Sequence, residues 1–199
     1  MAENDRLKAY REKRDLRVSP EPSGERGQSG KTPRFVIQKH DASTLHYDVR
    51  LEIEGVLKSW SVPKGPSTDP RQRRLAIETE DHPVSYAGFE GVIPEGEYGA
   101  GTVLVWDRGR IRNLRAEKDD DQEATLAESF EEGKIEVWLE GEKLRGGYAL
   151  IRTGKNAEKQ WMLIKMKDAA ADARRNPTST QPESVLSGRT LDEVRNEAD

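Results

Sequence analysis

Three histidines, His40, His46 and His82, are the residues whose chemistry stands out first. The chain has no cysteine, so a bound transition metal must be held by imidazole and carboxylate groups. His46 and Asp48 lie two apart in Leu45–Ile53, a stretch with strict two-residue alternation. Leu45, Tyr47, Val49, Leu51 and Ile53 share one face, and His46, Asp48, Arg50 and Glu52 share the other. A His-x-Asp pair on one strand face is a ready chelator. His40, across a bend expected at Asp41–Thr44, can fold back as a third donor. Two imidazoles and one carboxylate suit Mn²⁺, Fe²⁺ or Zn²⁺ and leave positions for water or substrate.

Two other readings of these residues stay open. A His-x-Asp pair is commonly no more than a solvated strand face. Alternatively His46, Asp48 and His82 form the two-histidine, one-carboxylate triad of a non-haem iron oxygenase, with His40 a bystander. The neighbours favour phosphate chemistry. Arg50 continues the metal face, and Lys58, Lys64, Arg71, Arg73 and Arg74 follow it. A guanidinium beside a metal pairs with phosphate oxygens. His82 and Tyr86, four apart and on one face if their segment is extended, are further hydrogen-bonding groups for a phosphoryl oxygen. A metal to polarise the phosphoryl group and cations to neutralise transition-state charge point to phosphate-ester hydrolysis.

These groups need rigid elements to hold them. Strands are expected at Phe35–Ile37, Leu45–Ile53, Val56–Val62, Arg74–Thr79, Gly101–Asp107, Arg110–Leu114, Lys134–Leu139, Gly147–Arg152 and Gln160–Lys165, with glycine-rich turns between most of them. Pro94–Gly101 reads as a hairpin turn, since no Gly-Lys-Ser/Thr follows to make a phosphate loop. Trp60 and Trp106 read as core. Helices are expected over Asp5–Leu16 and Glu123–Glu132, and a short one from Thr190; Glu117–Glu123 reads as a solvated acidic loop. The pattern predicts a mainly β protein, a compact closed or partly open β-barrel with one or two short helices and flexible N- and C-terminal arms. Residues 1–33 are the N-terminal arm, 34–167 the barrel and 168–199 a polar tail.

Composition sets the outer bounds. Hydrophobic residues make up 33% of the 199 and charged residues 35%, too lean a core for every segment to pack equally. The net charge of −4 argues against a large duplex-coating surface but leaves room for a small basic pocket that grips one phosphate. No apolar run approaches a membrane span, and the first 18 residues lack a signal-peptide core, so no membrane partner and a cytoplasmic location are expected. The default oligomeric state is a monomer.

Several long motifs, in order over residues 8 to 167, resemble the phosphoesterase module of bacterial DNA ligase D. They are Phe35–Glu52, Trp60–Pro66, Glu78–Tyr86, Phe89–Pro94 and Gln160–Lys165. The resemblance implies a β-barrel with its active site on a concave surface and a Mn²⁺-dependent enzyme of DNA repair. Such an enzyme removes a 3′-phosphate and a 3′-terminal ribonucleoside from DNA or RNA-tipped primer–template ends, leaving a 3′-hydroxyl for ligation. It matches His40, His46 and Asp48 to metal-binding positions and Arg50, His82 and Tyr86 to residues around the scissile phosphate. It adds Lys64, Arg74 and Gln38 as phosphate-binding or orienting residues. Through Tyr10–Leu16 and Pro20–Pro22 the arm resembles the family too, making Arg14, Asp15, Glu21 and Glu80 candidates for ribose recognition. Pro182–Leu191 resembles the lead into the ligase module, so the chain is expected to be a stand-alone or excised module that works with a separate ligase or end-joining proteins. With no evident protein nucleophile, water is the expected attacker, and His82 is the candidate general acid if protonated. The non-enzymatic rival, an adaptor that binds DNA ends without turnover, does not need so complete a set of polar site residues.

Overall fold

The structure is a computed structural model that describes residues 5–25, 27, 30–116, 125–154 and 159–198. Nine strands occur among them: β1 (Arg34–Asp41), β2 (Leu45–Ile53), β3 (Val56–Val62), β4 (Arg73–Pro83), β5 (Gly91–Ile93), β6 (Gly101–Asn113), β7 (Lys134–Gly141), β8 (Arg145–Arg152) and β9 (Gln160–Lys165). All pairings are antiparallel. The order β1-β2-β3-β4-β9-β8-β7-β6 closes by a β6–β1 pairing into an eight-stranded barrel, and β5 adds to the first residues of β6. Closure leaves no long unpaired edge on the wall.

Alternation sorts the wall into two faces. Phe35 and Ile37, Tyr47 through Ile53 at every second position, Trp60 and Val62, Leu104 and Trp106, and Trp161 and Leu163 form the interior cluster. Trp60, Trp106 and Trp161 are fully buried there. Leu45, at the open end of β2, is an exception and is 42% exposed. The alternate residues point outward, yet many are buried as well. Val36, Leu57, Val103 and Val105 lie under a second layer that supplies Tyr10, Tyr86, Phe89 and Ile93. That layer comprises helix α1 (Lys8–Glu12), the 3₁₀ turn Val84–Gly88 and β5.

Several elements differ from the sequence reading. β6 is one strand of 13 residues, where a break at residues 108–109 is expected. Gly109 makes no turn there. A Cβ at that position would lie 2.0 Å from the Glu140 carbonyl oxygen, so glycine permits a close approach of β7. β4 runs on to Pro83 through an irregularity opposite Leu57–Ser59, which carries His82 onto the wall. Tyr86 sits in the 3₁₀ turn, not in extended chain. β5, three residues long, is too short to show alternation.

The described residues hold four short helices instead of one or two. α1 is shorter than the expected Asp5–Leu16. α2 (Leu126–Glu132) starts from a Thr125–Glu128 capping box and ends at Gly133, whose φ of 78° suits glycine. Glu123 and the acidic run 117–123 lie outside the described residues. α3 (Pro177–Thr180) precedes α4 (Leu191–Asn196), which Thr190 caps.

Both arms lie against the barrel. In the first, Leu7 and Tyr10 are buried, and the Tyr10 hydroxyl donates to the Pro22 carbonyl at 2.7 Å. In the second, the Trp106 indole N–H donates to the Gln181 carbonyl at 2.8 Å, Val185 N–H to Val105 O at 2.9 Å, and Val194 joins the interior cluster. Composition pointed to loosely held arms, because these anchors are few and many of them are backbone groups that composition does not register. Val194→Ala is expected to lower the unfolding free energy by about 1.5–3 kcal/mol in urea titrations, from the lost methyl groups and the cavity they leave. A change below about 0.3 kcal/mol would mean that α4 adds nothing to the core.

Candidate active site

The β1–β2 hairpin makes the metal-type cluster. His40 and His46 are a directly opposed cross-strand pair, and Asp48 is the next outward residue of β2. Their rings lie 4.7 Å apart between centroids. His40 Nδ1 is 3.4 Å from Asp48 Oδ2, and His46 Nε2 is 3.3 Å from Asp48 Oδ1. Donors about 2.1 Å from one cation at cis or tetrahedral angles stand about 3.0–3.4 Å apart; each histidine meets that spacing with one of the two Asp48 oxygens, and one ligand atom from each of the three residues lies within 4.8 Å of the others. The far ring nitrogens agree. His40 Nε2 lies 2.7 Å from the Gly99 carbonyl and His46 Nδ1 3.0 Å from the Thr44 carbonyl. Each carbonyl takes that N–H and leaves the opposite lone pair aimed at the cluster, as in carbonyl-oriented metal histidines. His40, His46 and Asp48 are the one such cluster among the described residues. Burial alone would raise the Asp48 pKa, but Arg50 and the two imidazoles outweigh it and hold the carboxyl well below its ordinary value. Burial depresses His46, and its hydrogen bond and attraction to Asp48 overcome that, for a net rise.

The cluster opens into a pocket of about 270 Å³, lined also by Arg14, Glu21, Arg50, Glu80, His82 and Tyr86. Arg50 reaches toward Asp48 with Nη2 at 3.4 Å. Its Nε donates to Gln38 Oε1 at 2.7 Å, and its guanidinium sits over the Tyr86 ring at 4.9 Å. Gln38 is fully buried and donates to the Tyr86 and Phe89 carbonyls, so it is a strut behind Arg50. Arg14 enters from the N-terminal arm. It donates to Glu21 at 2.9 Å and Glu80 at 3.0 Å and lies over Tyr10 at 4.0 Å.

His82 is set between the two guanidiniums, with Arg14 Nη2 3.1 Å from Nε2 and Arg50 Nη1 3.1 Å from Nδ1. Nδ1 also lies 2.9 Å from the Glu80 carbonyl. The tautomer that satisfies most partners carries its proton on Nδ1, donates to Glu80 O and accepts from Arg14 at Nε2. Burial first, then Arg50 and Arg14, hold the His82 pKa well below 6.5. That direction favours the neutral ring and works against the protonated form that a general acid needs.

The DNA Ligase D 3'-phosphoesterase domain matches residues 38–152, more than half of the chain, a span that holds His40, His46, Asp48, Arg50, His82 and Tyr86 but not Arg14 or Glu21 of the arm. The chain belongs to the DNA ligase D 3′-phosphoesterase family. Among curated proteins it is 50% identical over 190 residues to the multifunctional non-homologous end joining protein LigD of Pseudomonas aeruginosa, covering 93% of this chain and 22% of that protein. It is 46% identical over 166 residues to LigD of Mycolicibacterium smegmatis, covering 82% and 21%. It is 44% identical over 165 residues to LigD of Mycobacterium tuberculosis, covering 82% and 20%. The chain thus spans about a fifth of the length of these relatives. Family membership and the His40–His46–Asp48 cluster together support a metal-dependent phosphoesterase role.

This member of the phosphoesterase family brings most of the candidate residues together. His40, His46, Asp48, Arg50, His82, Tyr86, Arg14, Glu21 and Glu80 line one pocket. Lys64 and Arg74 do not. Lys64 is exposed after β3, and Arg74 shares a strand face with Ala76 of the interior cluster and donates to Gln72 at 2.7 Å. Asp15 pairs with Arg17 at 2.8 Å, away from the pocket. The Tyr86 hydroxyl is taken by Glu21 at 2.7 Å, so what Tyr86 offers the pocket is its ring. His82 lies among guanidiniums while His40 faces the metal donors, the reverse of the oxygenase triad. The expected concave surface is not the barrel interior, which is filled. The pocket lies on the outer wall, and the concavity comes from the layer over it. Ser61, Thr79 and Tyr98 also line it without having been singled out. Ser61 sits on the same outward row of β3 as Ser59, a signal that alternation could have given. Tyr98 lies in a glycine-rich loop whose path sequence does not reveal.

Neutral His82 makes stability depend on pH. The unfolded imidazole takes up a proton near pH 6.5 and burial disfavours that proton in the folded protein, so this group's contribution to stability is steady above pH 6.5 and falls as pH drops below it. Metal-free protein is expected to lose more stability than His82→Gln between pH 7.5 and 5.5 in urea titrations. Equal losses would show that His82 is charged in the folded protein.

Proposed function

We propose that the pocket is the active site of a Mn²⁺-dependent 3′-end phosphoesterase of DNA repair. It removes a 3′-phosphate and a 3′-terminal ribonucleoside from DNA or RNA-tipped primer ends and leaves a 3′-hydroxyl for a ligase to join. The observation that carries this reading is adjacency: metal donor Asp48 and guanidinium Arg50 are successive outward residues of β2, with 3.4 Å between their polar atoms. One phosphate can therefore meet a cation and a fork of N–H donors together. Family membership supports the reaction class. The 3′-end specificity, the choice of Mn²⁺ over other divalent transition metals and the end-joining partners are part of the proposal.

His40, His46 and Asp48 would hold a divalent cation, which would supply Lewis-acid polarisation of a phosphoryl oxygen. Arg50, already fixed by Gln38 and the Tyr86 ring, directs its remaining N–H groups at the phosphate without reorganising during the reaction. Arg14 does the same from the opposite side of His82. The neutral His82 ring keeps the two guanidiniums apart and in register, and its Nε2 lone pair orients Arg14. Glu21 and Glu80 carry acceptor oxygens on the arm side, held by Arg14 and Lys13, where ribose hydroxyls of a terminal ribonucleoside would donate. No described pocket residue pairs a nucleophile with a base in the manner of covalent catalysis, so water is the attacking group.

A primer–template with a 3′-phosphate, and a second with one 3′-ribonucleotide, test the reading in Mn²⁺. Both ends are expected to convert to 3′-hydroxyl. His46→Ala should lose Mn²⁺ affinity and both reactions. His82→Ala should keep Mn²⁺ binding, read by electron paramagnetic resonance, and lose turnover about 10²–10³-fold, the usual effect of disturbing preorganised charge stabilisation. Intact ends after incubation with wild type, together with unchanged Mn²⁺ binding by His46→Ala, would rule out the phosphoesterase assignment. Loss of bound metal in His82→Ala would restore the oxygenase geometry.

A further inference from the structure

A second concavity lies on the outer wall, at the other end of β1 from the metal-type cluster. This groove of about 1230 Å³ is lined by Lys31, Arg34, Arg108, Arg110, Arg145 and Trp138, among others. Its basic residues are ordered by strand register. Arg34 of β1 is opposite Arg110 of β6, Arg110 is opposite Glu140 of β7, and Glu140 is opposite Arg145 of β8. Residues so opposed share a face. One row across four strands thus carries three guanidiniums and one carboxylate, over about 14 Å at the usual strand spacing. Arg108, opposite Val36, adds a fourth on the same face.

This row is costly for the fold by itself. Like charges directly opposed across strands destabilise a sheet, and Arg34 faces Arg110. Ion pairs relieve this cost unevenly. Glu52 takes Arg34 at 3.0 Å, but Arg108 meets Glu142 only at 4.0 Å with both side chains about half exposed, and exposed pairs of this kind are weak. A polyanion would satisfy the row.

The row and the pocket share a face. Positions 34, 36, 38 and 40 of β1 all point outward, with Arg34 at one end and His40 at the other. On β2, Arg34 pairs with Glu52 at 3.0 Å, the last residue of the row that begins at His46. Six strand residues separate the two sites, about 20 Å. The turn Val84–Gly88 divides them, with Tyr86 on the pocket side and Ala87 and Gly88 on the groove side.

We propose that this groove binds the sugar–phosphate backbone of the nucleic acid behind the end that the pocket processes. The inference rests on the nucleic-acid reading of the pocket. A 20 Å separation corresponds to about six base steps at 3.4 Å each, so substrates gain from the groove once they exceed that length.

Two measurements test it. The first is binding of a fluorescent 20-base-pair duplex with a 3′-phosphate, followed by anisotropy in metal-free buffer across a salt series. Arg110→Glu/Arg145→Glu is expected to weaken binding at least tenfold and to flatten the log–log salt slope by about two, at 0.9 per lost phosphate contact. Arg110→Lys/Arg145→Lys should restore most of both. The second is turnover in Mn²⁺. The glutamate variant should lose the advantage of the duplex over a 3′-phosphorylated dinucleotide and turn over the dinucleotide like wild type. Unchanged duplex affinity and salt slope would overturn the proposal, and so would equal loss on both substrates, which is what damage to the fold produces. Duplex binding that depends on the row, with no removal of the 3′-phosphate by wild type, would instead overturn the activity assigned to the pocket and leave the groove standing.

Discussion

The register of one hairpin is the constraint on which the rest of the site depends. With His40 opposite His46, the two imidazoles and Asp48 fall within one small volume on the outer wall. A slip of one residue would turn β2 over, sending His46, Asp48 and Arg50 into the barrel and Tyr47, Val49 and Leu51 out of it. Burying those apolar groups therefore does two jobs. It stabilises the barrel, and it fixes the side from which metal donors and guanidinium project. The two backbone carbonyls that orient the imidazoles come from different places: Thr44, in the hairpin turn, orients His46, and Gly99, in the loop before β6, orients His40, so only the second depends on the closure of β1 onto β6.

Charge organises the layer above the wall. Asp48, Glu21 and Glu80 are largely buried, and such carboxylates are tolerable only with partners. Arg50 answers Asp48, and Arg14 answers Glu21 and Glu80. Each guanidinium is also propped by an aromatic ring, Arg50 by Tyr86 and Arg14 by Tyr10. The two cations meet His82 from opposite sides, and burial first, then their charge, pushes its pKa down, the direction opposite to the one that a general-acid role needs.

What sequence revealed and what it hid divide along a physical line. Alternation is local, so β2, β3 and β9 were legible to the residue, as was the interior placement of Trp60 and Trp106. The metal donors were legible because two lie on one strand and the third one hairpin away. Residues whose position depends on distant pairing were not. Gln38 sits beside the metal motif in sequence, but its side chain is spent behind Arg50. Arg74 belongs to a cationic run, yet its strand face turns it to the barrel interior. Lys64 is cationic and near in sequence, but the end of β3 leaves it exposed. Resemblance brought Arg14, Glu21 and Glu80 forward as ribose contacts, whereas the placement of Arg14 against His82 required the arm to be laid across the wall.

That arm answers a geometric problem which the barrel cannot solve alone. A convex wall presents side chains that diverge, so strands by themselves can seat a metal but cannot enclose a phosphate. Enclosure requires groups that come back toward the wall. α1, the Val84–Gly88 turn and β5 supply them by burying Tyr10, Tyr86, Phe89 and Ile93 against outward valines and Leu57. The same apolar contact that fastens the layer aims Arg14 inward at His82. On the far side of the Val84–Gly88 turn the described wall carries the arginine row instead. A covered half that closes around one phosphate and an open half that offers a line of cations are suited to different parts of one long polyanion, its end and its continuing backbone.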